Sequence, residues 1–571
     1  MNGNYFKGNH PSMVPRSMRW AAFAIGPLLI LALVSISILI GGMAVAVISA
    51  ALPPVVTKIE PSGQHNQTSI SATITGSNFT GANRAWLSRS GQADIVGTSL
   101  AVQSDTRLTC NMDLTGKALG KWSVKVRTAS GTGTLTDGFT ITEMPPPPPP
   151  PFTWYLAEGS TDWGFSCYIS IENPNTSSAQ VEVTYMPTSG ANVTEKLALP
   201  AGSQTTLTND HLVAVMGGPK DFSTKVDCTD DKTIAVDRTM IWTGPGALSE
   251  EAHNSVGVTS PNKVWYLPEG SSAWDFECWL LIQNPNGTDA SCDVTYMIED
   301  IGPKTVTHVV PAHSRQTYSM EKDVGNVDAS IKVDSNVAVI PERAMYRHNR
   351  REGHDSIGVT MPQPIFSLAE GTTAWGFTTY VLIQNPNNAK TQVTLTYMTN
   401  AGPKPQAPIT MLPNTRKTIR VNDTLTSMDF STLVQGDNPI IAERAMYWDN
   451  GTGEACHDSI GSDMPQSFWY LPDGESSNGR ETWTLVQNPG PDKASVTITY
   501  LTPAGPAAKT VVDTLEPGTR KTYNMKDVVP EGRAAITVTT PQAVIVERAM
   551  YWNNRGAGTD TIGGWEFPPL Q

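Results

Sequence analysis

The chain has 571 residues, a formal net charge of −13, 16% charged residues, 47 Gly and 43 Pro. This acidic balance argues against nucleic acid and anionic lipid as partners, because both require clustered cations that release counterions. The 6 cysteines, none in a CxxC pair, are too few for a disulfide scaffold and give no support for a metal centre.

Residues 1–19 carry Lys7, Arg16 and Arg19, and no acidic residue precedes Glu60. Residues 20–51 hold no charge and exceed the ~20 residues that span a bilayer. This pattern predicts a single-pass transmembrane anchor with a cytoplasmic N-terminus and the bulk of the chain outside the cell. A cleaved signal peptide ending near Ser49, Ala50 and Ala51 is the competing reading; its apolar core is usually ~7 to 15 residues, and this run is about twice that.

Residues 53–143 alternate in strand fashion through SISATITG, RLTCNMDL, KWSVKVRT and GFTIT, with Gly and Asn turns between. With the opening PPVVTKIEPSG from Pro53 and the GSNF turn from Gly76, this unit resembles the IPT/TIG family. The resemblance implies an immunoglobulin-like fold and no particular ligand. Pro145 to Pro151 then form a run of 7 prolines, predicted to be a semi-rigid polyproline spacer of roughly 20 Å.

The rest of the chain repeats one sentence four times. Copy one (153–263) reads WYLAEG, IENPN, VTYM, DRTMIW and HNSVG; copy two (264–364) reads WYLPEG, IQNPN, VTYM, ERAMY and HDSIG. Copy three (365–467) has FSLAEG and ERAMYW, and copy four (468–571) has WYLPDG, VQNPG, ERAMYW and TDTIG. Counted from Trp154, Trp265, Phe366 and Trp469, the sentence recurs after 111, 101 and 103 residues, the length of a domain rather than of a solenoid unit. Each copy shows seven short strand-like runs and no helical period, which predicts an all-β chain of tandem immunoglobulin-like sandwiches behind one N-terminal transmembrane helix. The four copies look like an extracellular bacterial repeat of unassigned function with EG, NP, ERAMY and HDSIG signatures.

The HDS triplet invites a hydrolase reading, but adjacent residues on a strand face opposite ways, whereas a catalytic triad converges from separated segments. Copy one has Asn254 in place of the acid and copy four has Thr559 in place of the His, so a structural role is expected. The Arg of ERAMY sits between apolar neighbours on one strand face and requires a carboxylate. Its expected partner is the EG acid of the same copy: Glu158 with Arg238, Glu269 with Arg343, Glu370 with Arg444, and Asp473 with Arg548. Cys278 and Cys292 flank the Asn284–Pro285 turn and are a candidate cross-strand disulfide.

Trp163, Trp274 and Trp375 follow the EG turn at matching offsets and are the candidate ligand-binding residues; copy four lacks this Trp. A loop Trp can stack on a sugar or anchor a partner, or it can fold over the end of its own core, the arrangement that the usual burial of Trp favours. No cofactor, metal or catalytic set is expected. Together these readings describe a membrane-anchored surface protein with a structural or adhesive role and no catalysis. The alternative is a protein that binds a cell-wall or extracellular glycan, or a protein partner, through the loop tryptophans.

Overall fold

The computed structural model describes residues 52–565 apart from 67–68, 143–151, 400, 450 and 506–508. The predicted anchor and proline spacer lie outside the described residues, among which no helix is long and apolar enough to cross a membrane. Two compact units divide the chain, Met1–Pro146 and Pro147–Gln571.

The first unit is built from two sheets. One runs in the order Val55–Glu60, Ser69–Ser77, Arg107–Asp113, Thr98–Ser104; the other runs Gly63–His65, Gly131–Thr142, Gly120–Thr128, Arg84–Ser88, Ile95–Val96. Alternating apolar positions from both, among them Ile74, Leu108, Trp122, Val124 and Phe139, form one core, as expected when each sheet buries a single face.

The second unit holds all four copies. In copy two the strands are Asn262–Leu267, Phe276–Asn284, Ala290–Ile298, Gly302–Val310, Ser314–Ser319, Ala329–Arg347 and Glu352–Ile357. Two runs that read as separate strands, ASIKVD and AVIPERAMYR, are one 19-residue strand. Its first half pairs with Ala290–Ile298 and its second half with Phe276–Asn284, so it passes from one sheet to the other. The described residues are nearly all β, as expected; the short α-helical exceptions are a helix at Asn209–Met216 in copy one, capped by the Thr208 hydroxyl and ended by Gly217 at φ 71°, and a single turn at Met320–Val324 in copy two.

The same topology corrects the disulfide expectation. Cys278 lies opposite Met345 and Cys292 opposite Ser335, because the Asn284–Pro285 turn carries the chain across to the other sheet instead of folding a hairpin. Both thiols are free and buried in the core of copy two.

The HDSIG tails are the centre of the unit. They form the strands Glu251–Val256, Glu352–Ile357, Glu454–Ile460 and Ala557–Ile562, each hydrogen-bonded to the ERAMY strand of its own copy. These inner strands lie side by side around one axis, first beside second, second beside third, third beside fourth, and fourth beside first. The four copies therefore close into a ring, in place of the row of tandem sandwiches that the repeat pattern alone suggests. A strand in such a position is enclosed from every side, and every residue of Glu352–Ile357 is buried. The space left on the axis between Asn254, Asp355, Asp458 and Asp560 is only about 10 Å³, no more than a single water needs.

Candidate functional site

Each ERAMY arginine is fully buried where one copy meets the next. Arg238 Nη1 lies 3.0 Å from Glu158 of its own copy and 3.0 Å from Glu342 of copy two, and its Nη2 donates to Asp355 of copy two at 2.9 Å. Arg343 contacts Glu269 of its own copy at 3.7 Å, Glu443 of copy three at 3.0 Å, and Asp458 of copy three. Arg444 contacts Glu370 at 3.5 Å and, from copy four, Glu547 at 2.9 Å and Asp560 at 2.7 Å. Arg548 closes the ring on copy one through Asp237 at 3.6 Å, with Asp473 of its own copy at 4.0 Å.

The EG acids thus do meet the arginines of their own copies, but in the second and third junctions the shorter contacts come from the copy that follows. This explains why the HDS acid is missing from copy one while Arg238 persists. The HDS acid serves the arginine of the preceding copy, so Asn254 belongs to the junction of Arg548, and Arg238 finds its acid in Asp355. Sequence reading missed the ERAMY acids Asp237, Glu342, Glu443 and Glu547. Their signal was present, since an acid stands beside every one of these arginines.

Histidine completes three junctions. His253 Nε2 meets the Tyr346 hydroxyl at 3.0 Å, His354 meets Tyr447 at 2.7 Å and His457 meets Tyr551 at 3.0 Å, each pair bridging two copies. In the fourth junction Thr559 and Ile241 replace His and Tyr together. The HDS letters are therefore packing and ion-pair groups of an inner strand, and no junction combines them into a nucleophile, base and orienter.

One buried guanidinium cannot neutralise three carboxylates, and the junctions answer by holding a proton. Burial, reinforced by Glu342, pushes Asp355 well above the usual carboxylate range, and burial does the same to Asp560. In the second junction the proton sits on His354 instead. Burial lowers it, but Asp458 and Glu269 together outweigh burial and raise it, while His354 and Arg343 overcome burial to hold Asp458 down. Burial and Asp458 push Glu443 up to about 7.

Glu158, His253 and Asp355 bring ligand-type atoms within 4.8 Å of one another, as do Glu269, His354 and Asp458, and Glu370, His457 and Asp560. In each group an arginine already contacts both carboxylates, and its guanidinium supplies the positive charge that a metal ion would bring.

A second layer of contacts runs backward around the ring. Arg416 Nη1 donates to the Gly270 carbonyl at 2.7 Å, Arg315 to Gly159 at 3.4 Å, Arg520 to Ala369 at 3.3 Å, and Gln204 of copy one to Pro472 of copy four at 3.1 Å. The EG turns of all four copies are held in this way by the copy that follows.

The loop tryptophans lie outside this interior. Trp163, Trp274 and Trp375 are 72%, 75% and 73% exposed, so none caps its own core as the usual burial of Trp would suggest. All three adopt the left-handed conformation at φ 58°, uncommon for so bulky a residue. The indole of Trp163 donates to Asp221 at 3.2 Å and that of Trp274 to Asp328 at 3.0 Å. Trp274 borders a groove of about 930 Å³ that also presents Glu277, Glu321, Asn326, His348 and Arg351.

No family model matches the chain, and no curated protein matches it. Among solved structures, one described as a crystal structure of Thermotoga maritima 1070 is 11% identical, covering 18% of this chain and 94% of its own, with a TM-score of 0.17. SGBP-B from a complex xyloglucan utilization locus in Bacteroides uniformis is 10% identical over 51% of this chain and 73% of its own, with a TM-score of 0.14. A tetra-tandem repeat in the extending region of a large adhesion protein is 12% identical over 72% of this chain and 100% of its own, with a TM-score of 0.12. Likenesses at these scores assign neither family nor function.

Proposed function

We propose that this is a membrane-anchored surface protein without catalytic activity, in which an IPT/TIG-like immunoglobulin domain and a proline spacer precede a four-copy adhesive head, and that the head binds a repetitive extracellular glycan. The observation that carries this reading is the set of three exposed tryptophans at equivalent positions. A Trp held in the left-handed region by its own turn, with nearly three quarters of its surface in water, adds nothing to a core. It offers a rigid apolar face at little entropy loss on binding. The groove beside Trp274 adds carboxylate, amide and guanidinium groups of the kind that hydrogen-bond sugar hydroxyls. Three equivalent sites on one head gain avidity on a polymer from individually weak contacts.

The test is a glycan array probed with the full chain and with a variant carrying Trp163→Ala, Trp274→Ala and Trp375→Ala together. Binding to at least one polymer that disappears in the triple variant, with an unchanged circular dichroism spectrum, is the expected result. Binding that survives all three substitutions, or no binding to any glycan, removes the glycan reading and leaves a structural role.

A further inference from the structure

The fourth copy departs from the other three at positions that converge on one place. Where Ser160, Ser271 and Thr372 bridge to Asp221, Asp328 and Asp429, copy four has Glu475 bridged to Arg533. Asn478 replaces the loop tryptophan, and Arg480 replaces Phe165, Phe276 and Phe377. Across the seam, copy one presents Ile241 where the later copies have Tyr346, Tyr447 and Tyr551.

At the other junctions those aromatics form a plug. Phe165 lies 5.6 Å from Trp242 and 5.8 Å from Tyr346, Phe276 lies 6.1 Å from Tyr447, and Phe377 lies 4.6 Å from Trp448, measured between ring centroids. The seam has lost both the Phe and the Tyr, and a cavity of about 220 Å³ stands there. Tyr168 and Ile241 of copy one line it together with Glu475, Arg480, Arg533 and Trp552 of copy four.

The cavity walls hold polar groups without partners. The equivalent indoles are satisfied elsewhere, Trp242 donating to the Arg350 carbonyl at 2.8 Å and Trp448 to Arg555 at 2.6 Å. Trp552 is 6% exposed, and its buried Nε1 has no hydrogen-bond partner; the buried Nε atoms of Arg480 and Arg533 also have none. A buried donor left unpaired costs about 1–3 kcal/mol, so the indole N–H of Trp552, unpaired where its equivalents are paired, points to a guest that accepts a hydrogen bond.

The buried charges in the walls are balanced, and Glu250, the remaining carboxylate of the lining, is 57% exposed to solvent and lies 4.0 Å from Arg480. Arg480 pairs with Glu475 at 2.9 Å, and Arg533 pairs with Asp473 at 2.6 Å and Glu475 at 3.5 Å. A charged guest would leave one sign in excess in a buried place, whereas a guest with neutral hydroxyls can both donate to the carboxylates and accept from the indole and guanidinium N–H groups. The volume lies below the ~300–1,000 Å³ of pockets for drug-sized ligands and suits a single ring.

We propose that the seam between copies four and one is a binding site for one neutral sugar ring, distinct from the tryptophan loops. The three other junctions are plugged copies of the same place.

Saturation-transfer NMR of the full chain with neutral monosaccharides, and with glucuronate and glucosamine as charged controls, tests this. At least one neutral sugar should bind, and Arg480→Phe and Ile241→Tyr, which restore the plug residues of the other junctions, should each weaken it about tenfold or more. Trp552→Phe, which removes the indole N–H from the wall and leaves an aromatic ring, should weaken it several-fold and serves if a plugged variant does not fold. These measurements are made in the background of Trp163→Ala, Trp274→Ala and Trp375→Ala together, where the loop sites are gone and any signal reports the seam alone, so failure of the loop reading and failure of this one are separable. Absence of any neutral-sugar signal, binding of charged sugars alone, or binding retained in folded Arg480→Phe and Ile241→Tyr would overturn the proposal.

Discussion

Arg343 is fully buried between two copies and faces three carboxylates. Its replacement by Ala strands Glu269, Glu443 and Asp458 in a low dielectric, and the loss of one partner from such a set costs on the order of 3–5 kcal/mol. Urea denaturation of Arg343→Ala should show a loss of that size, while Trp274→Ala, at a 75% exposed site, should stay within about 0.5 kcal/mol of wild type. An Arg343→Ala protein as stable as wild type would mean that the ion cluster contributes nothing to holding the copies together. The burial of this arginine was legible from Val339, Pro341 and Met345 on its face of the strand. The ownership of its partners was not, because a periodic sequence gives the same letters whether a contact lies within one copy or between neighbours.

The inner strands make the junctions sensitive to pH. Asp355, Asp560 and Glu443 have raised pKa values in the folded protein, as does His354, so folding takes up protons at these groups. Their contribution is complete below the unfolded values, about 4 for the carboxylates and 6.5 for His354, and is lost as pH rises through the folded values. Glu443 alone, raised from 4.5 to about 7, accounts for on the order of 3 kcal/mol between these limits. Asp458 and Glu370 are shifted down and act in the opposite sense, their contribution being lost below about pH 4, and burial lowers His253 and His457, which offsets part of the gain below about pH 6.5. Thermal unfolding followed by circular dichroism should therefore give a lower Tm at about pH 8.5 than at about pH 5, with a smaller drop in Glu443→Gln. A Tm that is constant or rises over this interval contradicts the assignment. HDSIG is too short and polar to announce a buried strand in the sequence, and only enclosure by neighbouring copies makes one of it.

At the scale of the whole molecule, closure distinguishes this unit from a row of beads. Removal of copy four, residues 468–571, takes Glu547 and Asp560 from Arg444, takes Asp473 from Gln204, and exposes two inner strands. In an open array stability falls by roughly one unit and one interface. Here the three remaining copies should lose their single cooperative transition and become protease-sensitive together, as limited proteolysis and calorimetry would show. Three copies that remain folded and cooperative would show that the ring is not required.

The repeat count, the nearly all-β character, most of the strands and the burial of the arginines were legible in the sequence, since these depend on local alternation and on the cost of an unpaired charge. Tertiary structure alone decided that the copies close on each other, that the catalytic-looking letters face an axis, and that the tryptophans stand in solvent. Those outcomes depend on which copy meets which, and a sequence that repeats itself carries that information only at its seam, where Asn254, Thr559, Ile241 and Arg480 break the pattern.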